Sequence, residues 1–125
     1  MLAVCGVVRQ KGRILVCKRA SGMQFSGCWE LPTEILEGDD CAEDALERGL
    51  FERLTVETRA LKPIGSVDFS CGEGYRLLAY GVELVKNFFH IYGYDDFRWV
   101  KPCHLRRIRL LEPHAVLLKG LEISL

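Results

Sequence analysis

An α/β/α sandwich built on a mixed β-sheet is the fold this sequence predicts, as one domain over residues 1–125. Three observations predict it. Stretches of strand, helix, strand and helix character succeed one another along the chain. The run Ile14-Leu15-Val16-Cys17 has no polar side, as expected of a strand buried on both faces. After Asp40, the small or apolar residues Ala42, Ala45, Leu46, Leu50 and Leu54 recur at steps of three and four, which is one face of a helix.

From the N-terminus, residues 2–9 read as a strand, Gln10-Lys11-Gly12 as a tight turn, and residues 13–19 as the second strand of a hairpin. Residues 20–28 are rich in Ser and Gly and read as a loop. Residues 29–32 form a short strand, and a turn-rich loop then leads to the helix. Asp39 or Asp40 suits its N-cap, and acidic residues fill the first turn, where the helix dipole favours them. Gly49 interrupts the pattern. An interior glycine costs roughly 1 kcal/mol against alanine, so its reason lies outside helix propensity.

Residues 57–70 contain Pro63 and Gly65 and then alternate, which suggests an interrupted edge strand. Residues 71–74 read as a turn, 75–85 as a long central strand and Lys86-Asn87 as another turn. Phe88 to Tyr92 suggests a further short strand, and residues 93–96 an acidic loop. Phe97-Arg98-Trp99-Val100 then leads into a short helix started by Pro102. Residues 112–121 form the last helix, with Pro113 near its first turn and Val116, Leu117 and Leu121 inward.

Composition excludes several classes of function. Hydrophobic content of 49% and charged content of 27% describe an ordinary globular domain. Basic and acidic residues number 17 each, so net charge draws the chain to neither nucleic acid nor membrane. No apolar run approaches the ~20 residues of a membrane helix, and the N-terminus lacks the pattern of a secretory signal. Six cysteines sit singly with no CxxC spacing, as free thiols in a reducing cytoplasm. A zinc site from His90, Cys103 and His104 matches no finger spacing.

Residues 29–56 carry a motif. Trp29-Glu30-Leu31-Pro32 has the form W-E-x-P, and the stretch from Glu34 to Val56 resembles the box of the Nudix hydrolases in their MutT-like branch. That box reads G-x5-E-x7-R-E-U-x-E-E-x-G-U, with U a bulky aliphatic residue. Arg48, Leu50, Glu52 and Val56 match it, and Asp40 replaces its first Glu conservatively. Glu34 stands on the first Gly, Gly49 and Arg53 on two of the glutamates, and Thr55 on the second Gly. Starting the box at Gly38 instead puts Glu52 on the Arg position, so that register fails.

The resemblance implies a Nudix-type α/β/α sandwich and an ancestral hydrolysis of nucleoside diphosphates linked to another group. It implies water as nucleophile and Mg2+ as electrophile, held by carboxylates one helical turn apart. Positions 49, 52 and 53 share such a face. Here it carries Gly49, Glu52 and Arg53, whose charges cancel. At ~4 Å and an effective dielectric of about 20, each unit charge is worth roughly 4 kcal/mol to a neighbouring ion. Metal affinity should therefore be greatly weakened.

Glu37, Asp40 and Glu52 are the candidate metal ligands, and Asp95 or Asp96 the candidate general base. Arg48 is expected to orient the helix through a carboxylate, with Asp44 one turn away. Arg19, Arg53 and His114 are the candidate substrate contacts, and each reads equally as a residue without function. Arg53 could take a phosphate through its fork without metal.

Three functions remain open. One is a nucleotide-binding domain with weak or lost hydrolysis. Another is an active Mg2+-dependent pyrophosphohydrolase with relocated acidic ligands. The third is a protein-interaction domain without catalysis. Homodimerisation stays open in each, and no nucleic-acid or membrane partner is expected.

Overall fold

A computed structural model describes residues 1–69, 74–86 and 89–121. Its strands are β1 (Leu2–Gln10), β2 (Arg13–Arg19), β3 (Trp29–Glu30), β4 (Thr33–Leu36), β5 (Glu57–Phe69), β6 (Tyr75–Lys86) and β7 (Tyr94–Val100). The helices are α1 (Ala42–Leu54), a 3-10 helix (Pro102–Arg107) and α2 (Glu112–Gly120).

β1 organises the sheet. It runs parallel to β6 and antiparallel to β2 and β4, so the sheet is mixed. The strand path is β3-β2-β1-β6-β5, with β4 added to β1 and β7 added to β2. Lys11 and Gly12 turn the β1–β2 hairpin with positive φ.

Alternation along β1 and β2 builds two cores. Ala3, Cys5, Val7, Ile14 and Val16 face Leu105 of the 3-10 helix and Leu117 and Leu118 of α2. Val4, Val8, Leu15 and Cys17 face Leu46, Leu50 and Leu54 of α1. A fully buried Val or Leu side chain is worth ~1.5–3 kcal/mol, so both layers hold the sheet. The apolar run in β2 thus has the two-sided burial its composition predicts. β5 is the terminal strand of the path, and its register shifts on either side of Pro63. An edge tolerates the missing N–H of proline.

Several expectations need correction. α1 is capped by Cys41, whose side chain makes no cap hydrogen bond. Asp40 Oδ2 instead accepts from the Glu37 N–H at 3.2 Å and closes the preceding turn. Thr33–Leu36 is a strand rather than loop, because its backbone pairs with residues 2–5 of β1. Residues 89–92 form no strand; the N–H groups of His90 and Tyr92 bond to the carbonyls of Leu54 and Arg53 at the end of α1. Tyr94, Asp95 and Asp96 belong to β7 and not to a loop. Val116 is 47% exposed, while Leu117 and Leu118 fill the core. The turns expected at 71–74 and 86–87 fall largely outside the described residues.

The described cysteines are all free; Cys5, Cys17 and Cys28 are buried, and Cys41 and Cys103 exposed. Among the described residues, no helix is long and apolar enough to cross a membrane.

Candidate functional site

The face of α1 that carries the motif meets β4 and the start of β7. β4 is pinned to β1 by the pairing Val4 with Glu34 and Cys5 with Thr33. This fixes Glu34 opposite α1. At Gly49, a Cβ would lie 2.2 Å from Glu34 Oε1 and 2.3 Å from both its Cδ and Cγ. Non-bonded carbon atoms settle about 3.5–4.0 Å apart. The arm of Glu34 therefore fills the space that any side chain at position 49 would enter. Here lies the reason for the interior glycine.

One turn further, Arg53 Nε forms an ion pair with Glu34 Oε1 at 3.0 Å. Its Nη1 donates to the Thr33 carbonyl at 3.1 Å and to the Tyr94 hydroxyl at 3.3 Å. The Tyr94 oxygen also accepts from the Thr33 N–H at 3.3 Å and donates to Glu30 Oε2 at 3.2 Å. Arg19 donates to the other oxygen of Glu30 at 2.5 Å and to the Gln24 carbonyl at 2.8 Å. A continuous polar chain thus runs Arg19, Glu30, Tyr94, Arg53, Glu34, from β2 across β3 and β7 to α1 and β4. Its central carboxylate, Glu30, is 2% exposed. A charge so buried persists only when paired and hydrogen-bonded, and Arg19 and Tyr94 meet that need.

The electrostatics arise from this packing. Burial raises the pKa of Glu34; Arg53 opposes the rise, Glu52 adds to it and Arg48 opposes it. Burial, then the charge of Glu30, pushes the Tyr94 phenol well above its ordinary value. It therefore stays a hydrogen-bond donor. The crevice beneath, lined by Pro32, Glu34, Leu46, Gly49 and Leu50 among others, leaves about 0 Å³ for a water-sized body.

Among the described residues, the other predicted residues make no hydrogen bond or ion pair to this chain. Glu52 projects from α1 into solvent beside Arg53. Arg48 is exposed, and among the described residues no hydrogen bond or ion pair joins it to Asp44. The Asp40 carboxylate closes the turn on the Glu37 N–H, and the Glu37 side chain is exposed. Asp95 accepts from the Ser21 N–H at 3.0 Å and the Ser21 hydroxyl at 2.9 Å, which ties the loop after β2 to β7. Asp96 accepts from the N–H of Phe97 at 2.8 Å and lies 3.6 Å from Arg98. Among the described residues, no three His, Cys, Asp or Glu side chains gather as a metal site, the set with Cys103 and His104 included.

His114 is buried at 3% exposure beneath β3. Its Nδ1 accepts from the Leu31 N–H at 3.3 Å, so the neutral ring carries its proton on Nε2. Burial, helped by the charge of Arg19, lowers its pKa to about 4.

Glu30 and Tyr94 escaped the sequence reading as site residues. A signal existed for Glu30: a carboxylate between Trp29 and Leu31, in a strand with apolar neighbours, requires a partner. Tyr94 gave none, since its role depends on the pairing of β7 with β2.

No protein-family model matches the sequence, and no curated protein matches it. Solved structures do match in shape. The ORF135 protein of E. coli superposes with a TM-score of 0.83 at 21% identity, over 98% of this chain and 91% of that one. A MutT NUDIX hydrolase from Burkholderia pseudomallei gives 0.84 at 20% identity, over 94% and 95%. The NUDIX domain of Shewanella oneidensis NrtR, in complex with ADP ribose, gives 0.80 at 18% identity, over 99% and 87%. Strand order, the motif helix under the sheet and these superpositions agree that the chain has the Nudix fold.

Proposed function

We propose that this protein is a Nudix-fold domain that binds a nucleoside diphosphate derivative and hydrolyses it weakly or not at all. The observation that carries this is the composition of the motif face of α1. Position 49 is bare, position 53 is a guanidinium, and that guanidinium is 3.0 Å from the Glu34 carboxylate.

Magnesium, the ion the resemblance implies, does not fit the residues in place. It requires several oxygen ligands in near-octahedral array. Glu52 supplies one carboxylate next to a fixed cation, Asp40, Asp95 and Asp96 are engaged elsewhere, and Glu37 stands exposed in the turn before α1. Without a metal, the site lacks the Lewis acid that would lower the pKa of an attacking water. Binding asks for less. Arg53 offers a planar fork suited to phosphate oxygens, on a scaffold shared with a domain solved with ADP ribose. Buried free thiols suit a reducing cytoplasm.

A second reading has one observation in its favour. Glu34 brings a carboxylate to the place left by position 49, within electrostatic reach of Glu52. Relocation of one ligand could then preserve magnesium-dependent pyrophosphohydrolysis. A thermal-shift panel of nucleotides and nucleotide sugars, with and without magnesium, is paired with assay of nucleoside monophosphate release. The proposal expects shifts independent of magnesium and no release above background. Release that requires magnesium and is lost in Glu52→Gln would overturn it.

A further inference from the structure

We propose that Glu34 is a tethered competitor for the anion seat at Arg53, and that ligand phosphate enters by displacing it. The inference rests on the nucleotide-binding reading above and goes further, because it says what occupies the seat before ligand arrives.

Three features support it. First, the whole outer arm of Glu34, from Cγ to Oε1, lies against the backbone of Gly49. A carboxylate on a flexible side chain fills this niche, rather than an apolar group that would close it permanently. Second, Arg53 is presented from below. Thr33 and Tyr94 hold Nη1, while Nε faces the Glu34 oxygen as it would face a phosphate oxygen. Glu34 can therefore leave without releasing the guanidinium. Third, Glu34 has somewhere to go. Its side chain is 22% and that of Arg53 41% exposed, so the pair lies at the rim, open to solvent.

The same geometry explains why positions 34 and 49 depart from the motif together. A side chain at 49 and the present course of Glu34 exclude each other. The glycine and the carboxylate have changed places between strand and helix.

Calorimetric titration of the full chain, in EDTA, with inorganic pyrophosphate and with ADP-ribose tests the proposal. The variants are Glu34→Gln, which keeps the shape and removes the charge, and Glu34→Asp, which keeps the charge on a shorter arm. Thermal melts confirm that each is folded. Loss of the competing charge is expected to tighten both ligands about tenfold in Glu34→Gln. Glu34→Asp should fall between Glu34→Gln and the unaltered protein, and Arg53→Gln should abolish the gain. Equal or weaker binding by Glu34→Gln overturns the competitor while leaving nucleotide binding intact. Tighter pyrophosphate without any ADP-ribose binding upholds the competitor and defeats the nucleotide reading. No binding of either anion by any variant defeats both.

Discussion

Alanine at position 49 should act in opposite directions depending on whether Glu34 is present. In an ordinary helix interior, Gly→Ala stabilises by about 1 kcal/mol. Here the added methyl would lie 2.2 Å from Glu34 Oε1, so the arm must swing out. Its departure removes the contact with Arg53, a half-exposed pair worth about 1 kcal/mol after screening. It also uncovers roughly one buried methylene, about 0.8 kcal/mol. Set against the propensity gain, Gly49→Ala alone should destabilise by about 1 kcal/mol. In a Glu34→Ala background only the propensity gain remains, and the same change should stabilise by about 1 kcal/mol. Urea denaturation of the four proteins reads the coupling directly, expected near 2 kcal/mol. Sites without shared contacts add to within ~0.5 kcal/mol. If alanine has the same effect in both backgrounds within that margin, Glu34 does not fill the niche at Gly49.

Three further outcomes are expected. His114 has its pKa lowered to about 4 from an unfolded value of 6.5, so the unfolded chain binds the extra proton between these limits. Stability from this group is complete above pH 6.5 and falls by up to about 3 kcal/mol as pH drops through 4; His114→Gln should flatten that part of a melting-against-pH profile. Glu30→Ala strands the Arg19 guanidinium and the Tyr94 hydroxyl around a buried vacancy, and should cost about 3–5 kcal/mol in denaturation. Thr55 ends α1 in the left-handed region at φ 56, which is unfavourable for a β-branched residue by about 1–2 kcal/mol. Thr55→Gly should raise stability by about 1 kcal/mol in urea, less a small loss of the exposed bond to the His90 carbonyl.

Periodicity carried most of the fold. The apolar run of β2 and the spacing of Ala45, Leu46, Leu50 and Leu54 each report a buried face directly, because side-chain direction has a fixed repeat. Pro63 likewise signalled the edge. Where pairing depends on distant residues, local pattern was silent. Thr33–Leu36 is a strand only because β1 offers it an edge, and Val116 faces solvent because the 3-10 helix and α2 settle the core on Leu105, Leu117 and Leu118. Asp40 has the chemistry of an N-cap but is spent on the turn before α1.

The site was legible in part for the same reason. The four departures from the motif are visible as residues, and Gly49 stood out as costly in a helix. That Glu34 is its explanation needed the register of β4 against β1, which sets which residue confronts the helix. The chain Arg19, Glu30, Tyr94, Arg53 joins segments up to 75 positions apart, and no spacing rule connects them.

Calorimetry of ADP-ribose binding, in EDTA and again in excess magnesium, tests the central claim most directly. A motif face neutralised by Gly49 and Arg53 predicts the same dissociation constant in both, with the nucleotide recovered intact. Tightening on addition of magnesium, with nucleoside monophosphate among the products, would contradict it.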